Sequence, residues 1–127
     1  MSVAACATDP SVPPLEEQLF GTWDWVRTEA GDSSDAQTPD GVGYRRRLVI
    51  TPTRLEVLRD GEVEESARYR FVPGQDLDEE FIPPRLVYDE EILGVREHGV
   101  GFDGARLILF SACCDGATHV WDPVPTD

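Results

Sequence analysis

Leu19-Phe20-Gly21-Thr22-Trp23-Asp24-Trp25-Val26 is the stretch that decides the fold of this chain. Residues 13–20 predict a single helical turn, because prolines are tolerated at a helix start and acids suit its N-terminal dipole. Gly21 ends the turn, and residues 22–28 then alternate as a β-strand does. The alternation predicts one face with Trp23, Trp25 and Arg27 and an opposite face with Asp24, Val26 and Thr28. The domain therefore opens with a short helical turn and a tryptophan-bearing strand.

Further short strand patterns follow at residues 44–51, 54–59, 62–72, 85–88, 95–102, 106–111 and 117–122. Asp60-Gly61 favours a type I′ hairpin turn, and Asp103-Gly104 predicts another hairpin. Pro83-Pro84 keeps the fifth strand short, because proline cannot donate to a β-ladder. The polar stretches 29–43 and 73–80 predict loops. Alternation predicts three further shared faces, which are Tyr44, Arg46, Leu48 and Ile50; Val63, Ala67, Tyr69 and Phe71; and Arg96, His98, Val100 and Phe102.

Eight short strands joined mostly by hairpins predict an up-and-down meander. Rolling such a sheet shut removes its edges, and eight strands leave an interior just wide enough for side chains or one small ligand. The predicted fold class is all-β, an eight-stranded antiparallel up-and-down barrel with a short N-terminal helical turn. The predicted organisation is a flexible tether at 1–14, a barrel domain at 15–123 and a tail at 124–127.

The chain is strongly acidic. Its 127 residues include 25 acids and 11 bases, all of them arginine, for a formal net charge of −14. Such a surface repels phosphate backbones and anionic lipid headgroups, so nucleic acid is excluded as a partner. No stretch approaches the roughly 18 apolar residues that a membrane helix needs.

The first residues match a bacterial lipobox. Val3-Ala4-Ala5-Cys6 places a branched aliphatic and two small residues before a cysteine, although the charged and apolar regions of a signal peptide are missing upstream. We predict lipid attachment at Cys6 and a location in the bacterial cell envelope, periplasmic or at the outer-membrane surface. The lipid would then be the protein's only contact with a membrane. The alternative is an unmodified N-terminus with a free thiol.

Residues 15–122 resemble the lipocalin-like bacterial lipoproteins. Residues 19–26 match the Leu-x-Gly-x-Trp-x-Trp opening of that family, and residues 103–109 match its Asp-Gly-x-Leu-x-Leu hairpin with one extra residue. Cys113-Cys114-Asp115-Gly116 matches its turn before the last strand. The resemblance implies an envelope-anchored barrel with Ala117, His119 and Trp121 inside, and it implies no common activity.

The end of the last strand departs from the lipocalin pattern. Lipocalins usually place a basic residue there, packed over the first tryptophan, whereas this chain has Trp121-Asp122-Pro123. Closure of that end must therefore depend on another residue, Arg27 or Trp121 itself.

The interior suits a small ligand. We predict that Trp23 plugs the closed end of the barrel with its N–H on a carbonyl. Arginines near the mouth would suit a small anion or a fatty carboxylate, because arginine grips a carboxylate bidentately and stays charged. The predicted ligand-binding residues are Trp25, Tyr44, Arg46, Tyr69, Phe71, Arg96, His98 and His119. The alternative is a lumen filled by side chains, with the charged residues paired to acids at the rim.

Cys113 and Cys114 admit three interpretations. They could form a vicinal disulfide in an oxidising compartment, where lipid would consume Cys6 and leave them as the only pair. They could equally be free thiols. A soft-metal site with Asp115 and His119 lacks the Cys-x-x-Cys spacing of structural zinc, so we predict no metal and no cofactor.

His98 and His119 invite a catalytic interpretation with Ser111 or Asp115. No Gly-x-Ser-x-Gly nucleophile motif is present, and lone histidines on strand faces usually fill the core or the rim. We therefore predict no catalytic residues and no enzymatic activity. The predicted function is binding of a small hydrophobic or amphipathic molecule by an envelope-anchored monomer, and the alternative is a structural or protein-interaction module of the envelope.

Overall fold

The computed structural model describes residues 15–29, 36–77, 80–111 and 117–125. Its elements, in chain order, are α1 (Leu15–Gln18), β1 (Gly21–Glu29), α2 (Pro39–Val42), β2 (Arg46–Ile50), β3 (Arg54–Arg59), β4 (Glu62–Val72), β5 (Gln75–Leu77), β6 (Glu80–Ile82), β7 (Arg85–Ile92), β8 (Val95–Asp103), β9 (Arg106–Phe110) and β10 (Thr118–Pro123). The predictions for the tether, Cys6, Cys113 and Cys114 fall outside the described residues. Across the described ranges, no helix is long and apolar enough to cross a bilayer.

Eight strands close into an antiparallel barrel, in the order β1-β10-β9-β8-β7-β4-β3-β2, which confirms the predicted fold class. The first and last strands meet at one seam, where Trp25 lies opposite Trp121. Beyond the paired segment, the backbone N–H of Val124 donates to the carbonyl of Thr22 over 2.9 Å. Closure leaves no barrel strand with a free ladder edge, so the eight strands satisfy one another's backbone groups.

The segments predicted as loops contain more structure than expected. Residues 75–77 and 80–82 pair as a separate two-stranded sheet, β5–β6, and this pairing satisfies backbone groups that a loop would expose to water. Helix α2 begins after Thr38, whose side chain accepts from the N–H of Gly41, and ends at Gly43 with a φ of 86°. These are ordinary capping signals around a proline at the first helical position. Strand β7 is also longer than predicted, because Pro83-Pro84 limits only its start.

The Asp60-Gly61 turn between β3 and β4 adopts the predicted type I′ geometry. Its φ values are 51° and 89°, and a type I′ turn requires positive φ at both positions. The turn is tied to the chain entering β2, since the Asp60 N–H donates to the Arg45 carbonyl over 2.9 Å. The Asp60 carboxylate in turn accepts from the Arg45 N–H over 3.0 Å.

Two β-bulges reverse side chains relative to the sequence prediction. In β1 the register shifts between Trp25 and Arg27, so Thr28 is buried while Arg27 faces outward and pairs with Glu29. Arg27 therefore does not close the barrel. In β4 a shift opposite Val57 and Leu58 turns Val63 outward, where it is 55% exposed. Both predictions of a strictly alternating strand were wrong, because one extra residue exchanges the two faces beyond it.

Side chains fill the barrel interior. At one end, which we call the helical end, the Trp23 indole N–H donates over 3.0 Å to the carbonyl of Leu19, a buried residue just after α1. Phe102 packs against Trp23 with ring centroids 6.1 Å apart, and this contact confirms the predicted plug. The remaining core includes Trp25, Leu48, Ile50, Leu55, Val57, Ala67, Leu86, Tyr88, Ile92, Val100, Leu107, Leu109 and Trp121.

Candidate functional site

The opposite end of the barrel carries a cluster of arginines and aromatic rings, and we call it the arginine end. The Trp25 and Tyr44 rings stack with centroids 6.1 Å apart and planes 16° from parallel. The Arg46 guanidinium carbon lies 5.2 Å from each of these ring centroids. Arg59 lies on the Tyr44 ring at 4.0 Å. Strands β1, β2 and β3, together with Tyr44 just before β2, thus bring two cations and two rings into a cluster with cation–π geometry.

Arg46 is the most enclosed cation of this cluster, with 19% of its side chain exposed. Its Nε is buried and, among the described residues, has no hydrogen-bond partner. The carboxylate of Glu64 approaches it only to 4.0 Å, beyond hydrogen-bond range, and the second oxygen of Glu64 lies 3.6 Å from Arg59. One carboxylate is therefore shared loosely between two guanidinium groups.

A groove of about 600 Å³ opens at the arginine end, beside α2 and the β3–β4 turn. Its lining is Asp24, Trp25, Pro39, Asp40, Arg45, Arg46, Arg47, Leu58, Asp60 and Gly61. Within it, Arg47 is already paired with Asp24 over 2.9 Å. The groove is therefore lined by both apolar residues and arginines, and one of these, Arg46, has a buried Nε that lacks an acceptor among the described residues.

Beneath this cluster, hydrogen bonds link polar side chains in the barrel interior. The Trp25 indole N–H donates to the Thr28 hydroxyl over 2.8 Å, and the same hydroxyl is hydrogen-bonded to His119 Nδ1 over 2.8 Å. His119 meets the His98 ring edge-on, with centroids 5.6 Å apart. His98 Nδ1 is hydrogen-bonded to the Tyr88 hydroxyl at 2.7 Å. Strands β1, β7, β8 and β10 each contribute to this buried network.

Burial keeps both histidines neutral. Desolvation, with a smaller effect of neighbouring His119, lowers the pKa of His98 to about 3. Desolvation likewise lowers the pKa of His119 to about 4, and the nearby Arg46 charge adds to this effect. Burial, followed by the charge of Glu65, raises the pKa of Tyr88. The side chains of this network are therefore uncharged at neutral pH.

The two histidines lie inside the packed interior and not on the groove. His98 is 1% exposed and His119 is 6% exposed. Each ring uses Nδ1 for a hydroxyl partner, which is how buried imidazoles are normally satisfied. Their arrangement supports a structural role in holding four strands together.

The predicted ligand-binding residues do not all lie at one site. Trp25, Tyr44 and Arg46 form the cluster at the arginine end, with His119 and His98 below it. Tyr69 lies at the helical end, where its hydroxyl donates to the Thr51 carbonyl over 2.6 Å and burial, then Glu16, raises its pKa to about 12. Phe71 packs against the core on the same strand. Arg96 is exposed and donates to the Asp89 carbonyl over 3.2 Å.

Several residues of this end were absent from the predicted site. Arg59 flanks the Asp60-Gly61 turn and was accessible to sequence reasoning, because it alternates with the buried Leu55 and Val57 on β3. Thr28 was assigned to the outer face because the bulge in β1 leaves no sequence signal. The burial of Tyr88 could have been predicted from the sequence, because Tyr88 and Leu86 alternate on one face of a strand.

Replacing Thr28 should test the buried network. We expect Thr28→Val to lower the free energy of unfolding by roughly 2–3 kcal/mol, because Trp25 loses an acceptor and His119 loses its hydroxyl partner in the interior. Thr28→Ser keeps the hydroxyl and should cost about 1 kcal/mol or less for the lost methyl group. Guanidinium unfolding followed by tryptophan fluorescence measures both. Equal losses in the two variants would contradict the hydrogen-bond role.

Within the described ranges, no three histidine, cysteine, aspartate or glutamate side chains converge as a metal site would require. The suggested pairing of Cys113 and Cys114 lies outside those ranges. No protein-family model, curated protein or solved structure matches this chain.

Proposed function

We propose that this protein is a non-catalytic, monomeric binding protein of the bacterial cell envelope that takes a small amphipathic molecule at the arginine end of its barrel. The observation that supports this function is the groove of about 600 Å³, which falls within the roughly 300–1,000 Å³ typical of small-molecule sites. Trp25, Pro39 and Leu58 supply apolar wall, and Arg46 supplies a charged group with an unmet hydrogen-bond donor.

The ligand site on this proposal lies beside the barrel mouth and not in the lumen. The interior positions of the strands hold large side chains, among them Trp25, Trp121 and the two histidines. A ligand in the groove needs no displacement of that core. It would contact Arg46 and the edge of Trp25 from outside, against the short helix α2.

Native mass spectrometry of the full chain, purified from its own host, tests this function. We expect a retained small molecule that dissociates on unfolding. Leu58→Trp should reduce its occupancy, because Leu58 lines the groove and a larger side chain there takes up the space. Phe81→Trp, on the β5–β6 hairpin, is the matched control and should retain the ligand. Equal occupancy in both variants would contradict binding in the groove.

The envelope location rests on the lipobox-like sequence before Cys6 and on the resemblance to lipocalin-like lipoproteins. Native mass spectrometry also tests this anchor. We expect the added mass of a diacylglyceryl group on Cys6, and Cys6→Ala should abolish that added mass. Recovery of the unmodified chain from the soluble fraction of the host would contradict the anchor.

A second candidate, a protein-interaction module of the envelope, is favoured by the filled interior together with Phe81. This side chain is 65% exposed on the β5–β6 hairpin, which forms its own sheet apart from the barrel. Large exposed aromatic side chains are common at protein interfaces. In crosslinking within the host, Phe81→Asp should remove a specific partner while Leu58→Trp leaves it in place. A partner that is still crosslinked to Phe81→Asp would contradict docking through this side chain.

A further inference from the structure

We propose that the groove binds monocarboxylates with an apolar body and that Arg46 is the residue that holds the carboxylate. This inference rests on the proposed function and names the chemical class of its ligand. It depends on the charge balance of the groove, on the unmet donor of Arg46 and on the rings that fix its guanidinium plane.

The charges of the groove favour a single negative charge on the ligand. The lining has three arginines, Arg45, Arg46 and Arg47, against three aspartates, Asp24, Asp40 and Asp60. Because these charges cancel, the lining does not attract a ligand with several negative charges. The net charge of −14 on the whole chain repels such a ligand. A monoanion needs only one well-placed cation, and the remaining question is which arginine is available.

Arg46 is the available cation. Arg47 is engaged with Asp24, and Arg45 is exposed to water, which weakens any pair that its guanidinium makes. Arg46 Nε is buried and, in the described part of the chain, lacks an acceptor. Glu64 stands 4.0 Å away, too far to hydrogen-bond but near enough to balance the charge when the groove is empty.

A ligand carboxylate would satisfy this donor. A guanidinium presents parallel N–H groups that match the two oxygens of a carboxylate. Because Arg46 Nε is buried, the Glu64 carboxylate 4.0 Å away must move aside before Nε and one terminal nitrogen can bind the ligand together. Such a charge-assisted pair is stronger in a partly enclosed site than in open water. Glu64 retains Arg59 as its partner, at 3.6 Å, when it gives way to the ligand.

The aromatic rings fix the direction of this donor. The Arg46 guanidinium is 5.2 Å from both Trp25 and Tyr44, whose planes differ by 16°. Contact with two nearly parallel rings restricts the guanidinium plane, and a restricted donor loses less conformational freedom on binding. The apolar body of the ligand would then lie along Leu58 and Pro39, which line the same groove.

Isothermal titration calorimetry with acid and amide pairs tests the inference. The probes are 3-phenylpropionate against 3-phenylpropionamide and octanoate against octanamide, added to the full chain at neutral pH after removal of retained ligand by unfolding and refolding. We expect the acids to bind at least about tenfold more tightly than the amides, because only a carboxylate accepts both guanidinium donors with its charge. Arg46→Gln should abolish that preference, and Arg46→Lys should keep only part of it because the bidentate geometry is lost.

Arg47→Gln is the matched control. Arg47 lines the same groove on the neighbouring position of β2, but its guanidinium is committed to Asp24. We expect its acid affinity to change by less than about threefold, as is usual for an exposed ion pair. Thermal unfolding of each variant verifies that the barrel is intact, and the amide affinities of Arg46→Lys give a second check if Arg46→Gln does not fold.

The outcomes separate this inference from the function on which it rests. Equal affinity for acid and amide, with a ligand still retained in the native protein, overturns the carboxylate class and leaves the binding function standing. Acid preference that survives Arg46→Gln but is lost in Arg47→Gln overturns the role of Arg46. No binding of any probe and no retained native ligand overturns both.

Discussion

Chemical unfolding of this protein should become markedly easier as the pH falls below about 6.5, the ordinary pKa of an exposed histidine. The cause is the buried pair His98 and His119, whose pKa values are lowered to about 3 and about 4 in the folded protein. In the unfolded chain both histidines regain their usual pKa. Between these values the unfolded state binds more protons than the folded state.

The direction of the effect follows from that difference. Above pH 6.5 both histidines are neutral in both states, so the stability of the neutral network is fully present. As the pH falls, protonation stabilises only the unfolded chain, and stability is lost until the pH reaches the lowered values. Each pH unit should cost about 1.4 kcal/mol per histidine, so at pH 5 the pair should account for about 4 kcal/mol.

A variant without histidines isolates this effect. The sequence contains two histidines in all, so His98→Gln with His119→Gln removes every imidazole from the chain. The 25 acids act in the opposite direction, because their mutual repulsion eases as they become protonated, and they remain in both proteins. The measurement is the guanidinium unfolding free energy of each protein between pH 5 and pH 8. Parallel pH profiles for the two proteins would show that the histidines do not titrate as described.

Trp23→Ala should lower the free energy of unfolding by about 3–5 kcal/mol, the range for deleting a large buried aromatic side chain. Trp23 closes the helical end, where it packs against Phe102 and donates to the Leu19 carbonyl. Truncation opens a cavity beneath α1 and leaves that carbonyl without its partner. The loss should appear in the guanidinium midpoint without a change in the retained ligand, because the groove lies at the other end of the barrel.

Two further variants define the origin of this loss. Trp23→Phe keeps most of the apolar area and loses the hydrogen bond, so it should cost about 1–2 kcal/mol. Phe81→Ala removes an aromatic ring of similar size from an exposed position and should stay within about 0.5 kcal/mol of the parent protein. If Trp23→Ala were no more destabilising than Phe81→Ala, the description of Trp23 as a plug would be wrong.

Sequence reasoning was reliable where the signal is local. The Asp60-Gly61 turn was predicted because the type I′ geometry requires two residues that tolerate positive φ. The Trp23 plug was predicted from a large aromatic directly after a helical turn, and the strand number from short alternating segments between turn residues. In each case the residues that cause the structure are neighbours in the chain.

The candidate site was predicted only in part. Trp25 and Arg46 lie together because they occupy inward positions at the same end of adjacent strands, and Tyr44 joins them from the segment just before β2, outside the strand predicted to contain it. Tyr69 was predicted to share an inward face but lies at the other end of the barrel. Strand tilt and register decide how far along the barrel axis a side chain lies. Alternation carries no information about that position.

The amino-acid pattern alone determined that this chain is a closed barrel of eight strands with a tryptophan at its first strand, since alternation and turn chemistry act over a few residues. Only the tertiary structure decided that Thr28 turns inward, that His98 and His119 meet, and that the lumen is full while a groove lies beside it. The physical reason is that bulge position, register and the fit of side-chain volumes depend on strands far apart in the chain, and no local pattern encodes them.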